Sequence, residues 1–171
     1  MNLRALLAVL VAAVWVGACS APPSKPVPPA PPPAPDTRFV VGCPGGDVIC
    51  EIADDWERRA AGLSARSAVP AGTGMVFLYS EPDVRGFWMK GCLVALDIAY
   101  LRDDGTVVDV GRMEPPAVGA SDDALPRFRS SEPVRIVFEV AAGEAAKLGV
   151  VRGEVVRKTQ FHAARLADAD P

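Results

Sequence analysis

The sequence predicts a mostly β domain, either a compact β-sandwich or a small barrel, with one short helix and one helical turn. Short runs rich in β-branched and aromatic residues recur along the chain, and turn residues separate them. Only one segment has the pattern of a helix longer than a turn, and strands do not alternate with helices as they do in a βαβ fold. We find no internal repeat and no glycine-rich phosphate loop.

The strands are predicted from β-rich runs and the turns between them. In chain order the runs are Thr37–Val41, Val48–Ile52, Gly74–Tyr79, Gly86–Met89, Leu96–Leu101, Thr106–Val110, Val134–Val140 and Val155–Lys158. Pro44–Asp47 predicts a hairpin between the first two runs, and Asp103–Gly105 predicts another. Apolar and polar residues alternate in Val134–Val140, which is typical of a half-buried strand. Four prolines in Glu114–Pro133 favour a long loop.

The short helix is predicted over Asp54–Leu63. Asp54 is suited to the N-cap and Glu57 follows three residues later, as in a capping box. Gly62 is suited to the left-handed position that ends a helix. The helical turn is predicted over Glu144–Leu148.

The N-terminus resembles the leader of a bacterial lipoprotein. Arg4 is followed by twelve apolar residues, Ala5–Val16, a length that suits a signal peptide and is too short to span a bilayer comfortably. Small residues then precede Cys19, as in a lipobox, which implies cleavage after residue 18 and acylation of Cys19 with chains such as palmitate. Such chains hold a protein on a membrane through about 0.8 kcal/mol per buried methylene.

Residues 19–35 predict a stalk between this anchor and the folded domain. Nine prolines in the fourteen residues Pro22–Pro35 exclude helix and sheet and favour a polyproline II rod about 45 Å long. Residues 36–171 then form the domain. We expect a lipid-anchored, extracytoplasmic protein of the cell envelope. The residues after Cys19 lack the aspartate of inner-membrane retention, which favours the outer membrane if the host has one.

Charge and composition exclude some partners. The net charge is −3 at pH 7, and lysines and arginines form no basic run, so a nucleic-acid partner is not expected. No Cys-x-x-Cys motif occurs and His162 is the only histidine, so neither a metal site nor another cofactor is expected.

The cysteines predict a disulfide in an oxidising compartment. Cys43 and Cys50 bracket the first hairpin and form the favoured pair. Cys92 with either of them, or three free thiols, are the alternatives.

A ligand site is predicted around Lys90 and Asp97, which flank a short connection. If that connection doubles back, the ammonium and carboxylate meet beside an apolar wall of Trp88 and Met89. Arg66 adds positive charge, as do the helix residues Arg58 and Arg59. The structural alternative is a charge pair that fixes two strands, with Trp88 in the core.

No catalytic residues are assigned. The chain lacks a Gly-x-Ser-x-Gly elbow, and a triad would have to use His162. The carboxylates Asp97, Asp109 and Glu139 lie on predicted strands, and two of them could act as general acid and base. An enzyme is therefore the less favoured interpretation.

Several segments together resemble a known family. The segments are Gly62-Leu63 with Arg66, Gly74–Phe77, Phe87–Lys90, Leu96–Ile98, Gly143 and Gly153-Glu154. From Val48 to Val156 they resemble the bacterial and archaeal family known as domain of unknown function 192. This resemblance implies a compact, jelly-roll-like, β-dominated fold and no established reaction.

The favoured function is a non-enzymatic binding or accessory module that recognises a small molecule, a glycan or an envelope protein. A hydrolase or lyase that acts on an envelope polymer through paired carboxylates is one alternative. A purely structural lipoprotein is the other.

Overall fold

The computed structural model of the protein describes residues 38–159 and confirms a mostly β domain with two short helices. The helices are α1 (Trp56–Ala61) and α2 (Glu144–Lys147), and Asp122–Ala124 forms a 3₁₀ turn. The strands within these residues are β1 (Arg38–Cys43), β2 (Gly46–Ala53), β3 (Thr73–Asp83), β4 (Gly86–Phe87), β5 (Leu96–Leu101), β6 (Val107–Met113), β7 (Phe128–Arg129), β8 (Val134–Ala141) and β9 (Arg157–Thr159).

Seven strands form one mixed sheet in the order β6-β5-β8-β3-β2-β1-β9, and β4 pairs with β7 in a second, two-stranded sheet. Only the β2–β3 pair is parallel among the strand pairs of residues 38–159. The large sheet is not closed into a barrel. A single bridge between Thr106 and Val155 links the end of the β5–β6 hairpin to the segment before β9.

Alternating side chains of the central strands build two cores, one on each face of the sheet. On β3, Met75 and Phe77 pack on the face covered by α1 and by residues 87–92, which we call the α1 face. Val76 and Leu78 pack on the opposite face, covered by α2 and residues 150–156, which we call the α2 face. Full burial of each such side chain contributes about 1.5–3 kcal/mol.

The prediction that β8 is half-buried was wrong. Both faces of this strand are covered, so Val137 and Glu139 are buried on the α1 face, while Phe138 is buried on the α2 face. The polar positions of the alternating pattern therefore do not mark a solvent-facing side. Their cover comes from α1 and residues 87–92, which are distant in sequence.

The local signals at turns and caps were mostly correct. The hairpins at Pro44-Gly45 and at residues 103–105 are confirmed, with Gly105 at a φ of 88°. The N-cap of α1 is Asp55 rather than Asp54, because the Asp55 carboxylate accepts the Arg58 N–H at 2.7 Å. The predicted strand Gly86–Met89 ends at Phe87.

The predicted disulfide is absent, since Cys43, Cys50 and Cys92 are all free thiols. The hairpin register places Cys43 opposite Gly46 and Cys50 opposite Phe39. Cys43 and Cys50 are thus separated by four residues of strand, on the order of 13 Å, whereas a disulfide needs Cα atoms within about 7 Å. Cys92 lies in the core of the other face of the sheet.

The leader at residues 1–18, Cys19, the stalk and the C-terminal residues from 160 onward lie outside the described residues. Neither helix within residues 38–159 has the length and apolarity that crossing a membrane requires.

Candidate functional site

Glu139 is a buried acid whose carboxyl group makes no hydrogen bond within residues 38–159. It lies in the middle of β8, paired in register with Met75 of β3 and Ile98 of β5, and its exposed fraction is 5%. No donor or cation within residues 38–159 contacts its carboxyl group. Desolvation by this burial raises the pKa of Glu139 to about 8, so the group is mostly protonated and uncharged at neutral pH.

The Glu139 side chain opens into a pocket of about 110 Å³ on the α1 face. This volume is smaller than the apolar cavity of about 150 Å³ that holds benzene, so the pocket can enclose one functional group of a small ligand, or part of an inserted side chain. Three parts of the chain surround Glu139: α1 with the turn after it, β3, and the segment from β4 to Cys92. The lining side chains that matter below are Arg59, Phe77, Tyr79, Phe87, Trp88, Lys90 and Cys92.

Arg59 and Gly62 hold helix α1 against β3. The Arg59 Nη1 donates to the carbonyl oxygens of Asp54 at 2.6 Å and Leu78 at 2.8 Å. Gly62 ends the helix at a φ of 50°, and a Cβ there would lie 3.6 Å from the Phe77 ring. The turn at Gly62 therefore packs closely on β3. The Nε and Nη2 atoms of Arg59 make no hydrogen bond within residues 38–159.

Aromatic rings form the walls of the pocket. Phe77 and Phe87 meet edge to face, with centroids 4.9 Å apart. The ring of Tyr79 lies between two guanidinium groups, Arg59 at 4.9 Å and Arg85 at 3.8 Å. Desolvation raises the pKa of Tyr79, and its hydroxyl has no hydrogen-bonding partner among the described residues.

Trp88 stands at the edge of the pocket beneath two more cations. Arg127 lies 3.7 Å from the centroid of the indole ring and the Lys90 Nζ lies 5.2 Å from it. Lys90 also forms an ion pair with Asp122. Trp88 is therefore a half-exposed cation platform, rather than a core residue.

The structure separates the predicted Lys90 and Asp97 pair. The Asp97 carboxylate accepts the backbone N–H groups of Gly143 at 2.7 Å and Ala145 at 3.1 Å, at the start of α2 on the other face of the sheet. The β5 register explains this, because Leu96 and Ile98 occupy the α1 face and turn Asp97 away from it.

The other predicted ligand-binding residues divide between the pocket and the scaffold. Trp88 and Lys90 line the pocket, whereas Met89 is buried in the core of the α1 face. Arg66 forms a bidentate ion pair with Glu51, with its Nη1 and Nη2 atoms 2.6 and 2.8 Å from the two carboxylate oxygens. Arg66 therefore ties the turn after α1 to β2.

The carboxylates considered as a catalytic pair do not meet. Asp97 and Glu139 project from opposite faces of the sheet. Asp109 accepts the Ser131 N–H at 2.7 Å and pairs with Arg152 at 3.2 Å, outside the pocket. Glu139 is the only acidic side chain that lines the pocket among residues 38–159. The same residues contain no cluster of three His, Cys, Asp or Glu side chains that could hold a metal ion.

The model of the DUF192 family, described as "Uncharacterized ACR", matches residues 41–158. The chain belongs to the DUF192 family. No curated protein matches it.

Two solved structures resemble this DUF192 chain. One, from Sinorhizobium meliloti 1021 and described provisionally as a transcription regulator, is 30% identical over 71% of this chain and 92% of its own, with a TM-score of 0.58. The other, from Novosphingobium aromaticivorans DSM 12444, is described as a protein of unknown function. It is 27% identical over 75% of this chain and 92% of its own, with a TM-score of 0.57.

The segments that carry the DUF192 resemblance and the pocket share residues. Gly62-Leu63, Phe77 and Phe87–Lys90 all contribute to its lining, apart from the buried Met89. Sequence reasoning did not single out Tyr79, and it weighed Glu139 only as one acid among several. The available signal was a lone charge between Phe138 and Val140, in the most apolar half of a strand.

Proposed function

We propose that this protein is a non-enzymatic binding module of the cell envelope, and that its ligand site is the Glu139 pocket. A single observation supports the site most strongly: Glu139 is only 5% exposed, its carboxyl group makes no hydrogen bond within residues 38–159, and its side chain lines a small aromatic pocket. No fully buried side-chain oxygen or nitrogen within residues 38–159 lacks a hydrogen-bonding partner, so the unpaired Glu139 carboxyl group is accessible from the pocket. A ligand in the pocket can therefore form the hydrogen bond that the described residues do not supply.

Binding explains the pocket better than the two alternatives do. A hydrolase or lyase with paired carboxylates needs a second acid about 5–10 Å from the first, and among residues 38–159 the lining contributes only Glu139. A purely structural role gives no reason to keep an acid where an apolar residue of similar size would be more stable. The occupant is a small molecule, part of a glycan, or a side chain of an envelope protein.

The envelope address is part of the proposal and rests on the sequence. The apolar run Ala5–Val16, the small residues before Cys19 and the proline-rich residues 22–35 support a lipid-anchored domain on a spacer. The net charge of −3 does not favour DNA as a partner, in contrast to the regulatory role named for the Sinorhizobium relative.

A fragment screen tests the site. The full chain, purified in detergent, is screened by ligand-observed NMR against small polar aromatic compounds, in parallel with Glu139→Gln and Phe87→Ala. Glu154→Gln is the matched control, because Glu154 is exposed and does not line the pocket. We expect hits that compete with one another and are weakened by Phe87→Ala but not by the control. Hits that bind every pocket variant as well as they bind the wild type would refute the site.

A second experiment tests the anchor independently of the ligand. Cys19→Ser is expected to release the protein from the membrane fraction and to abolish incorporation of radiolabelled palmitate. Unchanged fractionation and processing would refute the envelope proposal while leaving the pocket untouched.

A further inference from the structure

We infer that the Glu139 pocket binds the carboxylate group of a small aromatic acid such as benzoate, with Arg59 as its cationic partner. This inference rests on the binding function proposed above and adds the chemical class of the ligand. It depends on which charges around the pocket are already paired and which are free.

The arginines at the pocket are not neutralised by acids. Arg59, which lines the pocket, and Arg127, which lies over Trp88, form no ion pair within residues 38–159. Lys90, by contrast, is paired with Asp122. Within residues 38–159, Arg59 therefore brings an unpaired guanidinium group to the lining, Arg127 brings a second one over Trp88, and Glu139 is the only acid of the lining.

Three side chains of the pocket carry N–H or O–H groups that have no acceptor within residues 38–159 at neutral pH. Arg59 has free N–H groups on Nε and Nη2, and the Tyr79 hydroxyl is free. The Glu139 carboxyl is protonated and donates through its O–H, because burial raises its pKa to about 8. A cluster of donors next to guanidinium groups suits an acceptor with negative charge.

The other charge classes fit less well. A cationic ligand would be repelled by Arg59 and Arg127, and among the described residues it would find no ionised acid in the lining until Glu139 loses its proton. A neutral ligand would leave the Arg59 N–H groups without a charged acceptor. A planar carboxylate on an aromatic body matches both the guanidinium geometry and the walls formed by Phe77 and Phe87.

The proposed binding mode predicts that the affinity for a carboxylate depends on pH through the ionisation of Glu139. The titratable groups that face this carboxyl are Tyr79, Cys92 and Tyr100, while Arg59 and Lys90 are the cations of the lining. Burial raises the pKa of Cys92 to about 11 and raises the pKa of both tyrosines, so these three groups stay neutral up to pH 9.5. Ionised Glu139 repels a carboxylate, so affinity falls as pH rises through about 8.

The test compares benzoate, benzamide and benzylamine, three probes of matched shape and different charge. Binding to the full chain in detergent is measured by calorimetry or NMR titration at pH 6.5 and, for benzoate, at pH 9.5. We expect benzoate to bind at least about tenfold more tightly than the other two probes, in line with a charge-assisted hydrogen bond. We also expect its affinity to fall about tenfold or more at pH 9.5.

Variants assign the effects to residues. Arg59→Gln is expected to remove the preference for benzoate, and Glu139→Gln to keep binding at pH 6.5 while removing its pH dependence. Arg112→Gln is the control, because Arg112 is exposed and pairs with Glu114 away from the pocket. Since Arg59 also holds α1 on β3, Tyr79→Phe, which removes one donor only, provides a second variant and is expected to weaken benzoate binding.

The outcomes separate this inference from the proposal on which it rests. Tighter binding of benzamide or benzylamine than of benzoate would overturn the carboxylate inference and leave the binding site standing. A benzoate affinity that is unchanged in both Arg59→Gln and Tyr79→Phe would also overturn it. If none of the three probes bound and the fragment screen gave no pocket-dependent hit, the proposed site itself would be wrong.

Discussion

Asp97 and Glu139 are two buried acids on neighbouring strands, and their hydrogen-bonding environments differ. They lie on β5 and β8 only one register step apart, since Asp97 pairs with Val140 and Glu139 pairs with Ile98. Their exposed fractions are similar, 7% and 5%. Asp97 faces the start of α2 and accepts two backbone N–H groups. Glu139 faces the opposite side of the sheet and accepts none from residues 38–159.

The difference teaches that burial alone does not identify a functional acid. The hydrogen-bonding capacity of Asp97 serves the fold, because its carboxylate accepts N–H groups that have no partner within the first turn of α2. Glu139 accepts no hydrogen bond from residues 38–159 and lines a pocket, so its hydrogen-bonding capacity remains for a ligand. The predictions below test this contrast.

The largest expected effect is the pH dependence of stability that Glu139 causes. Its pKa in the folded protein, about 8, is raised above its ordinary value of 4.5, so the unfolded chain ionises first. The folded state is therefore progressively destabilised as pH rises from about 4.5 to 8, by roughly 3–5 kcal/mol in all. Urea unfolding at pH 5 and pH 9 should show that Glu139→Gln escapes this loss.

Comparing the variant with wild type cancels the titration of all other groups. Glu154→Gln, at an exposed site, is expected to follow wild type at both pH values. Parallel stability profiles for wild type and Glu139→Gln would mean that the Glu139 carboxyl is hydrated or paired.

The second effect is the loss of stability in Asp97→Ala. The N–H groups of half-buried Gly143 and buried Ala145 would lose their acceptor, at a cost of about 3 kcal/mol in the free energy of unfolding. Urea unfolding at pH 7 measures this change, with Asp123→Ala in the exposed 3₁₀ turn as the control. A cost below about 1 kcal/mol would contradict the scaffold role of Asp97.

The smallest effect is expected for Lys90→Met. The ion pair between Lys90 and Asp122 lies at the surface, with about half of each side chain exposed. Such pairs contribute little because solvent screens them. The free energy of unfolding should change by less than about 0.5 kcal/mol, and a loss of 2 kcal/mol would show that this pair, like Asp97, belongs to the scaffold.

The sequence predicted those parts of the fold that depend on local chemistry. The strand Leu96–Leu101 has the predicted bounds, and the turn at Asp103–Gly105 contains the glycine that a positive φ requires. The disulfide prediction was wrong because strand register, and not sequence spacing, decides which cysteines face each other. Registers are set by long-range packing.

The candidate site was only partly predictable for the same reason. Of the predicted ligand-binding residues, Trp88 and Lys90 line the Glu139 pocket and Met89 is buried in the core, whereas Asp97 lies on the opposite face of the sheet. Alternation in β8 placed Glu139 on a solvent-facing side, whereas α1 covers that side from about eighty residues earlier in the chain. No local sequence pattern predicts that a distant segment such as α1 covers this side of β8.

The most direct test of the account is the ionisation of Glu139 itself. The ¹³C shift of its side-chain carboxyl can be followed from pH 4 to pH 10 in the full chain and assigned by its absence from Glu139→Gln. The account predicts a transition near pH 8, which moves upward when benzoate is bound. A transition near the ordinary value of 4.5 would show that the carboxyl is hydrated or paired, and would contradict the claim that it is buried and free for a ligand.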